Sequence, residues 1–222
     1  MKILALNPFH GGSHQAFLDG WIKRSEHQWT VLSLPDKHWR WRMLSSAAYF
    51  AEKLQDMEGE WDAVFCTSMM NVAEFRGLAP RSISQLPTIV YFHENQLTYP
   101  HGKHSKHDRR LIMINYVSLQ AADEAWFNSA FHRDEFLGAM RRELNASPGH
   151  LFKQSQFNDT HIHYPGINLV GFDKRTFTGP LRICWVARWE EDKNPQLFFD
   201  TLYALKDLGI DFKVNVFGES LN

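Results

Sequence analysis

Short apolar runs alternate with amphipathic stretches along most of this 222-residue chain. The runs are rich in Val, Ile, Phe and Tyr, which favour strands, and the stretches between them repeat apolar residues at helical spacing. The predicted strands are residues 2–6, 29–34, 62–66, 87–92, 124–128 and 161–165, and the predicted helices are 14–25, 41–57, 70–78, 108–122 and 129–144. Strands that alternate with helices form βαβ units around a parallel sheet. We therefore predict an α/β fold with a doubly wound parallel sheet of the Rossmann-like type.

The pattern changes after Pro165. Residues 169–180 contain glycines and a proline with little periodicity, which is typical of a linker. Beyond them the pattern predicts a strand, a helix and a strand at 181–188, 195–209 and 212–219. One βαβ unit cannot bury both of its faces. We therefore predict a first domain over residues 1–168 and the incomplete start of a second α/β domain over 181–222.

Composition limits the choice of partners and compartment. The formal net charge is −1, so any contact with nucleic acid must come from a local basic patch. Cys66 and Cys184 each lie in an apolar strand-like run, where buried free thiols are expected. The first apolar run is too short for a signal peptide, and no run approaches the about 20 apolar residues of a membrane span. These features predict a soluble cytoplasmic protein without a membrane partner.

The stretch NPFHGGSH lies between the first strand and the first helix. Gly11 and Gly12 allow close backbone approach to a ligand, and a helix amino terminus favours an anion. His10 and His14 in the same loop favour a substrate-binding site. The spacing is not G-x-G-x-x-G, which argues against a nicotinamide dinucleotide. In the alternative interpretation the glycines only form a turn and Ser13 caps the helix.

The stretch HENQLTYP follows the buried fourth strand. We predict His93 and Glu94 as catalytic residues, because an imidazole exchanges hydrogen bonds with a hydroxyl near neutral pH and a carboxylate can orient it or take a proton. Asn95 and Gln96 are predicted to bind sugar hydroxyls, and Tyr99 to stack on a sugar ring. The alternative is a strand end followed by polar loop residues.

The stretch VARWEEDKNP joins a strand to a helix in the second predicted domain. Arg188 and Lys193 are placed to hold a diphosphate, with the helix amino terminus adding its partial charge. The alternative is a solvated turn in which these cations pair with Glu190, Glu191 or Asp192.

The stretch KHWRWR precedes the second helix. Basic side chains interleaved with rings can follow a phosphate backbone and stack on a base. We therefore predict nucleic-acid contacts for Lys37, Trp39, Arg40, Trp41 and Arg42. The alternative is that half of the pattern packs in the core.

Two other groups of charged residues give weaker indications. His101, His104 and His107 are spaced by three, without cysteine, and we predict no metal site. Arg109 and Arg110 are ordinary helix-surface residues unless they share the face of KHWRWR.

Four stretches together resemble one family: ALNPFHGGSHQAFLDGW, LSLPDKHWRWRM, FCTSMMNVAEFRGL and YFHENQLTYP. Over roughly residues 1–170 the chain is similar to the amino-terminal domain of the tRNA-queuosine α-mannosyltransferases. From 181 to 219 it resembles the second domain of the broader family 4 glycosyltransferases. The resemblance implies a two-domain GT-B enzyme that transfers mannose from GDP-mannose, with retention and without an obligatory metal, to queuosine in a tRNA anticodon.

The resemblance also implies roles for particular residues. Gly11 and Gly12 would lie near the donor phosphates or the transferred sugar, and His93 beside that sugar. Arg188 and Lys193 would neutralise the leaving diphosphate. The chain ends before the carboxylate pair that binds the donor in these enzymes, so we expect this piece alone to be inactive or nearly so. Two alternatives are an RNA-binding or regulatory module without catalysis, and a glycosyltransferase with another acceptor.

Overall fold

A computed structural model describes residues 1–99, 108–146, 159–167, 171 and 178–219. These residues fall into two compact units, the first ending at Ile167 and the second beginning after it. Of the helices that the structure describes, none is both long and apolar enough to cross a membrane.

The first unit contains six strands and six helices in the described ranges. The strands are β1 (Lys2–His10), β2 (Gln28–Pro35), β3 (Ala63–Thr67), β4 (Thr88–Phe92), β5 (Glu124–Phe127) and β6 (Thr160–Ile162). The helices are α1 (Gly12–Ile22), α2 (Trp39–Gln55), α3 (Val72–Leu78), α4 (Arg81–Ser84), α5 (Arg109–Ala121) and α6 (Ala130–Asn145). All six predicted strands are present, and only the one-turn helix α4 was not predicted.

Strand β1 continues four residues past its predicted end at Leu6. Beyond Leu6 it pairs with β2 alone, and its register shifts between Asn7 and His10. Pro8 lacks an N–H group, and it is tolerated at such an irregular strand end.

The sheet is parallel throughout, in the order β2-β1-β3-β4-β5-β6. The chain moves one way from β1 to β2 and the other way from β3 onward. The order therefore reverses between β1 and β3, as in a doubly wound fold, and the predicted fold class is confirmed. In such folds ligands bind outside the carboxyl ends of the strands, near this reversal.

Both faces of the sheet carry helices, so β3 is buried along its whole length. One face packs against α2, α3, α5 and α6, and its buried residues include Leu4, Cys66 and Phe92. The other packs against α1, through residues such as Phe65 and Tyr91. The prediction of a buried free thiol is confirmed for Cys66.

The second unit is one βαβ unit. Strand β7 (Leu181–Val186) pairs in parallel with β8 (Phe212–Phe217), and helix α7 (Pro195–Asp207) joins them. Of the residues described in this unit, none is fully buried. The prediction of a buried thiol is wrong for Cys184, which is exposed. Its neighbour Trp185 stacks on Phe198 of α7, and alternation along the strand turns Cys184 to the opposite face.

Candidate functional site

Polar side chains from three elements meet at the carboxyl edge of the six-stranded sheet. His93 and Glu94 follow β4 directly, His14 lies in the first turn of α1, and His132 lies in the first turn of α6. Nε2 of His14 is 3.3 Å from Oε2 of Glu94, and the rings of His14 and His93 lie 4.1 Å apart between centroids. We call these four residues the histidine cluster. The structure thus brings together three residues that the sequence predicted in two separate motifs.

The start of α1 places His14 in this cluster. Gly12 has φ +52°, a left-handed conformation that favours glycine. A side chain on Gly11 would overlap the side chain of Asp36, so this position also has little room. Gly11 is the N-cap, and no side chain caps the helix, so the proposed capping by Ser13 is wrong. The Gly-Gly pair therefore has a local structural cause, and the first N–H groups of α1 have no side-chain cap.

The ring of His93 is enclosed by other rings. Tyr91 lies 4.7 Å away between centroids and Phe17 lies 5.0 Å away, in addition to His14. Burial lowers the pKa of His93 to about 2, and the electrostatic interactions with the neighbouring His14 and His132 act in the same direction. His93 is therefore neutral near pH 7. Its Nε2 is buried and has no hydrogen-bond partner among the described residues, which leaves one ring nitrogen for a ligand.

Asn128 and His132, which both follow β5 in the chain, hold the backbone at His93 in place. Nδ2 of Asn128 donates to the carbonyl of His93 at 2.7 Å. The Oδ1 of the same amide is an acceptor, so Nδ1 of His132 donates to it at 3.1 Å. Burial lowers the pKa of His132, while the negative charge of Glu94 raises it. Sequence reasoning missed Asn128 and His132, although polar residues directly after a buried strand were the indication used for His93.

The loop after Glu94 is held by its own amides. Oδ1 of Asn95 accepts from the N–H groups of Leu97 and Thr98, and its Nδ2 donates to Oγ1 of Thr98. Asn95 is only 3% exposed, so its amide shapes the loop.

Gln96 and Tyr99, the other two residues predicted to bind sugar, are not exposed. Gln96 is buried, and its N–H donates to Oδ1 of Asn115 at 2.8 Å. Tyr99 is partly buried at the end of the described stretch. Sugar binding by Asn95, Gln96 and Tyr99 stays a prediction.

The basic and aromatic stretch KHWRWR lies at the start of α2. Trp39 packs against a buried apolar cluster that includes Met43 of the same helix, whereas Trp41 is 64% exposed. The guanidinium of Arg40 lies 4.7 Å above the ring of Trp39. Lys37 and Arg40 are exposed, and Arg42 is half-buried. The stretch therefore combines one core residue with an exposed basic and aromatic surface.

In the second unit, Arg188 and Lys193 lie between β7 and α7, and both are paired locally. Arg188 is 3.0 Å from Oε2 of Glu190, and Lys193 is 2.7 Å from Oδ2 of Asp192. The helix itself is capped by Asn194, whose Oδ1 accepts from the N–H group of Leu197. These pairs correspond to the solvated-turn alternative, and diphosphate binding stays a prediction.

The three histidines considered for a metal, His101, His104 and His107, lie outside the described residues. Within the ranges that are described, no three His, Cys, Asp or Glu side chains form a metal-binding group.

Comparison with known proteins places the chain in a family. Residues 2–159 match the family described as tRNA-queuosine alpha-mannosyltransferase N-terminal. The chain is also 35% identical over 234 aligned residues to the tRNA-queuosine alpha-mannosyltransferase of Drosophila melanogaster. The alignment covers 98% of this chain and 61% of that relative, so the chain spans less than two thirds of the relative's length. The chain belongs to the tRNA-queuosine alpha-mannosyltransferase family.

Proposed function

We propose that the protein is a GT-B glycosyltransferase that transfers mannose from GDP-mannose, with retention, to queuosine in a tRNA anticodon. Family membership supports the reaction class. The observation that carries the proposal is the neutral, ring-enclosed His93, whose buried Nε2 has no partner among the described residues. A nucleotide-sugar donor and a tRNA acceptor are both consistent with a cytoplasmic protein.

His93 acts through hydrogen bonding. Because its pKa lies far below 7, the imidazole carries no charge, and Nε2 exchanges one hydrogen bond with a hydroxyl of the transferred sugar. The rings of Tyr91, Phe17 and His14 exclude water from that contact. A hydrogen bond in such surroundings is stronger than one in water, because the local dielectric constant is low. The ring therefore orients the sugar for transfer.

His14 and Glu94 hold the reacting imidazole in place. The carboxylate of Glu94 contacts Nε2 of His14, whose ring lies against that of His93. A change in either residue would tilt the His93 ring or leave space beside it. The same carboxylate can accept the proton of the acceptor hydroxyl.

Each unit contains groups that can bind a phosphate. The uncapped N–H groups after Gly11 and Gly12 favour an anion. Arg188 and Lys193 exchange their carboxylate partners for the leaving diphosphate, where negative charge develops. These protein groups supply the positive charge, so the proposed reaction needs no bound metal.

A second candidate is an RNA-binding or regulatory module without catalysis. It is favoured by the exposed basic stretch at α2 and by the local pairing of Arg188 and Lys193, which leaves less positive charge for a diphosphate.

A transfer assay separates the two candidates. The longest form of the protein that the gene encodes is incubated with radiolabelled GDP-mannose and tRNA that contains queuosine. We expect label on this tRNA and none on the same tRNA with guanosine in place of queuosine. Binding of tRNA without transfer, and without any effect of GDP-mannose, would support the non-catalytic module instead. Transfer to another acceptor would support the assignment as a glycosyltransferase but refute the proposed acceptor.

A further inference from the structure

We propose that the starts of α2 and α5 form one RNA-binding surface that holds the single-stranded acceptor loop beside the histidine cluster. The surface consists of Lys37, Arg40, Trp41, Arg109 and Arg110, and we call it the α2–α5 surface. The assignment of RNA as the ligand of this surface rests on the proposed function, in which the sugar acceptor is an RNA. The two arginines of α5 form no part of the site as described so far.

The two helix starts are packed together close to the histidine cluster. Met43 of α2 shares a buried apolar cluster with Leu111 and Ile114 of α5. Phe9 packs against the same cluster, and its ring lies 5.6 Å from that of His14. A molecule that lies on the α2–α5 surface is therefore next to the cluster without crossing the sheet.

Positive charge is concentrated where helix electrostatics disfavours it. The first turn of α2 contains Arg40 and Arg42, that of α5 contains Arg109 and Arg110, and neither contains an acidic residue. Cations near a helix amino terminus are repelled by the helix dipole, which favours anions there. Asp108, the N-cap of α5, offsets part of this repulsion, and a bound polyanion would offset more of it.

Nearby acidic residues neutralise only part of this charge. Asp108 pairs with Arg110 at 2.8 Å, and the pKa of its carboxyl is lowered by Arg110 and also by the charge of Arg40. The same carboxylate thus experiences cations from both helices, which places the two groups of arginines in one electrostatic surface. Arg109 is 85% exposed and lies 3.6 Å from Glu143, a weak pair that a phosphate can replace.

The aromatic part of the surface selects single-stranded RNA. Trp41 is exposed between two arginines, and an exposed ring flanked by cations stacks on an unpaired base while the cations contact its phosphates. In Arg42, Nε is buried and has no partner among the described residues, so this guanidinium has a free donor. A duplex would offer the phosphates but no free base face for Trp41.

The test measures the binding of a fluorescent RNA stem-loop that has the sequence of a tRNA anticodon arm. Binding is monitored by fluorescence anisotropy at a series of salt concentrations. We expect Arg109→Ala/Arg110→Ala to weaken binding about tenfold or more and to reduce the salt slope by about 0.7 for each phosphate that the variant no longer binds. Trp41→Ala is expected to weaken binding about tenfold with little change of slope, and Trp41→Phe to retain most of the affinity. The matched control is Lys23→Ala/Arg24→Ala, which removes the same charge at the carboxyl end of α1, on the opposite face of the sheet.

The inference would be overturned by no binding of the stem-loop, by equal losses in the α5 variant and the α1 control, or by equally tight binding of a blunt RNA duplex. Weaker GDP-mannose binding in the α5 variant would assign these arginines to the donor and would also overturn it. Surface-dependent RNA binding without mannose transfer would refute the proposed function and leave the surface standing. Transfer that is unaffected by the α5 variant would refute the surface alone.

Discussion

The first unit and the second unit carry charged or polar side chains at equivalent places, where a parallel strand ends and a helix begins. In the first unit these side chains are enclosed by rings, so that His93 is neutral and one of its nitrogens lacks a partner among the described residues. In the second unit Arg188 and Lys193 lie at the surface, and each pairs with an adjacent carboxylate. The two units therefore differ because of burial. The buried site of the first unit has a hydrogen-bonding group in place, whereas the exposed cations of the second unit must leave their carboxylate partners to bind a ligand.

The largest effect on stability is expected for Asn115, beneath the site of the first unit. Its amide accepts from the N–H group of Gln96 and donates to the carbonyl of Ser68, so Asn115→Ala leaves two buried groups unpaired. We expect a loss of about 3 kcal/mol in the free energy of unfolding, measured by urea denaturation. Asn145→Ala, at the exposed end of α6, is the matched control and should cost less than about 0.5 kcal/mol. Equal losses of unfolding free energy in both variants would show that the buried hydrogen bonds of Asn115 do not stabilise the site.

The neutral state of His93 predicts a pH dependence of the stability of the first unit. Its pKa is about 2 in the folded state and 6.5 in the reference state, so below pH 6.5 the unfolded chain binds a proton that the folded chain does not. The free energy of unfolding should therefore fall as pH falls, by about 2 kcal/mol from this residue by about pH 5. Urea denaturation over this range checks the slope.

The control for this effect is His93→Gln, which removes the titrating group. Its slope should be smaller but not zero, because burial also lowers the pKa of His132, and partial desolvation lowers that of the largely exposed His163. An unchanged slope in the variant would contradict the buried, neutral state of His93.

Catalysis tests the site more directly. In the longest natural form of the protein we expect His93→Ala to reduce mannose transfer by more than tenfold, or about 1.4 kcal/mol, because alanine cannot form the hydrogen bond to the sugar. The matched control is His163→Ala, since this exposed histidine also lies against a ring, that of Trp126, but outside the histidine cluster. A smaller reduction than tenfold, or equal losses in both variants, would refute the role of His93.

The smallest effect on stability is expected in the second unit. Arg188→Ala should change the free energy of unfolding by less than about 0.5 kcal/mol, because exposed ion pairs contribute little. The same variant should weaken GDP-mannose binding in a calorimetric titration. Undiminished binding of GDP-mannose would indicate that Arg188 only pairs with Glu190, and it would contradict the proposed role of Arg188 in binding the diphosphate.

The strand and helix pattern was sufficient to predict the fold class. The six predicted strands became the six strands of the first sheet, because the first five alternate with helical repeats and β6 pairs with β5 at the edge. The errors arose where pairing decides the outcome. Strand β1 passes through Pro8 because only β2 pairs with it there, and Cys184 is exposed because α7 covers only one face of its sheet.

For the site, the sequence identified His14, His93 and Glu94 as polar residues at helix starts and strand ends, because these positions are local. It could not predict that the rings of His14 and His93 lie against each other, or that Asn128 binds the backbone at His93, since these contacts join distant parts of the chain. The ionisation of His93 was equally hidden, because it depends on which rings exclude water. Sequence by itself determined the elements and their order, while the tertiary structure decided burial, and burial sets the charge and hydrogen bonding of each candidate residue.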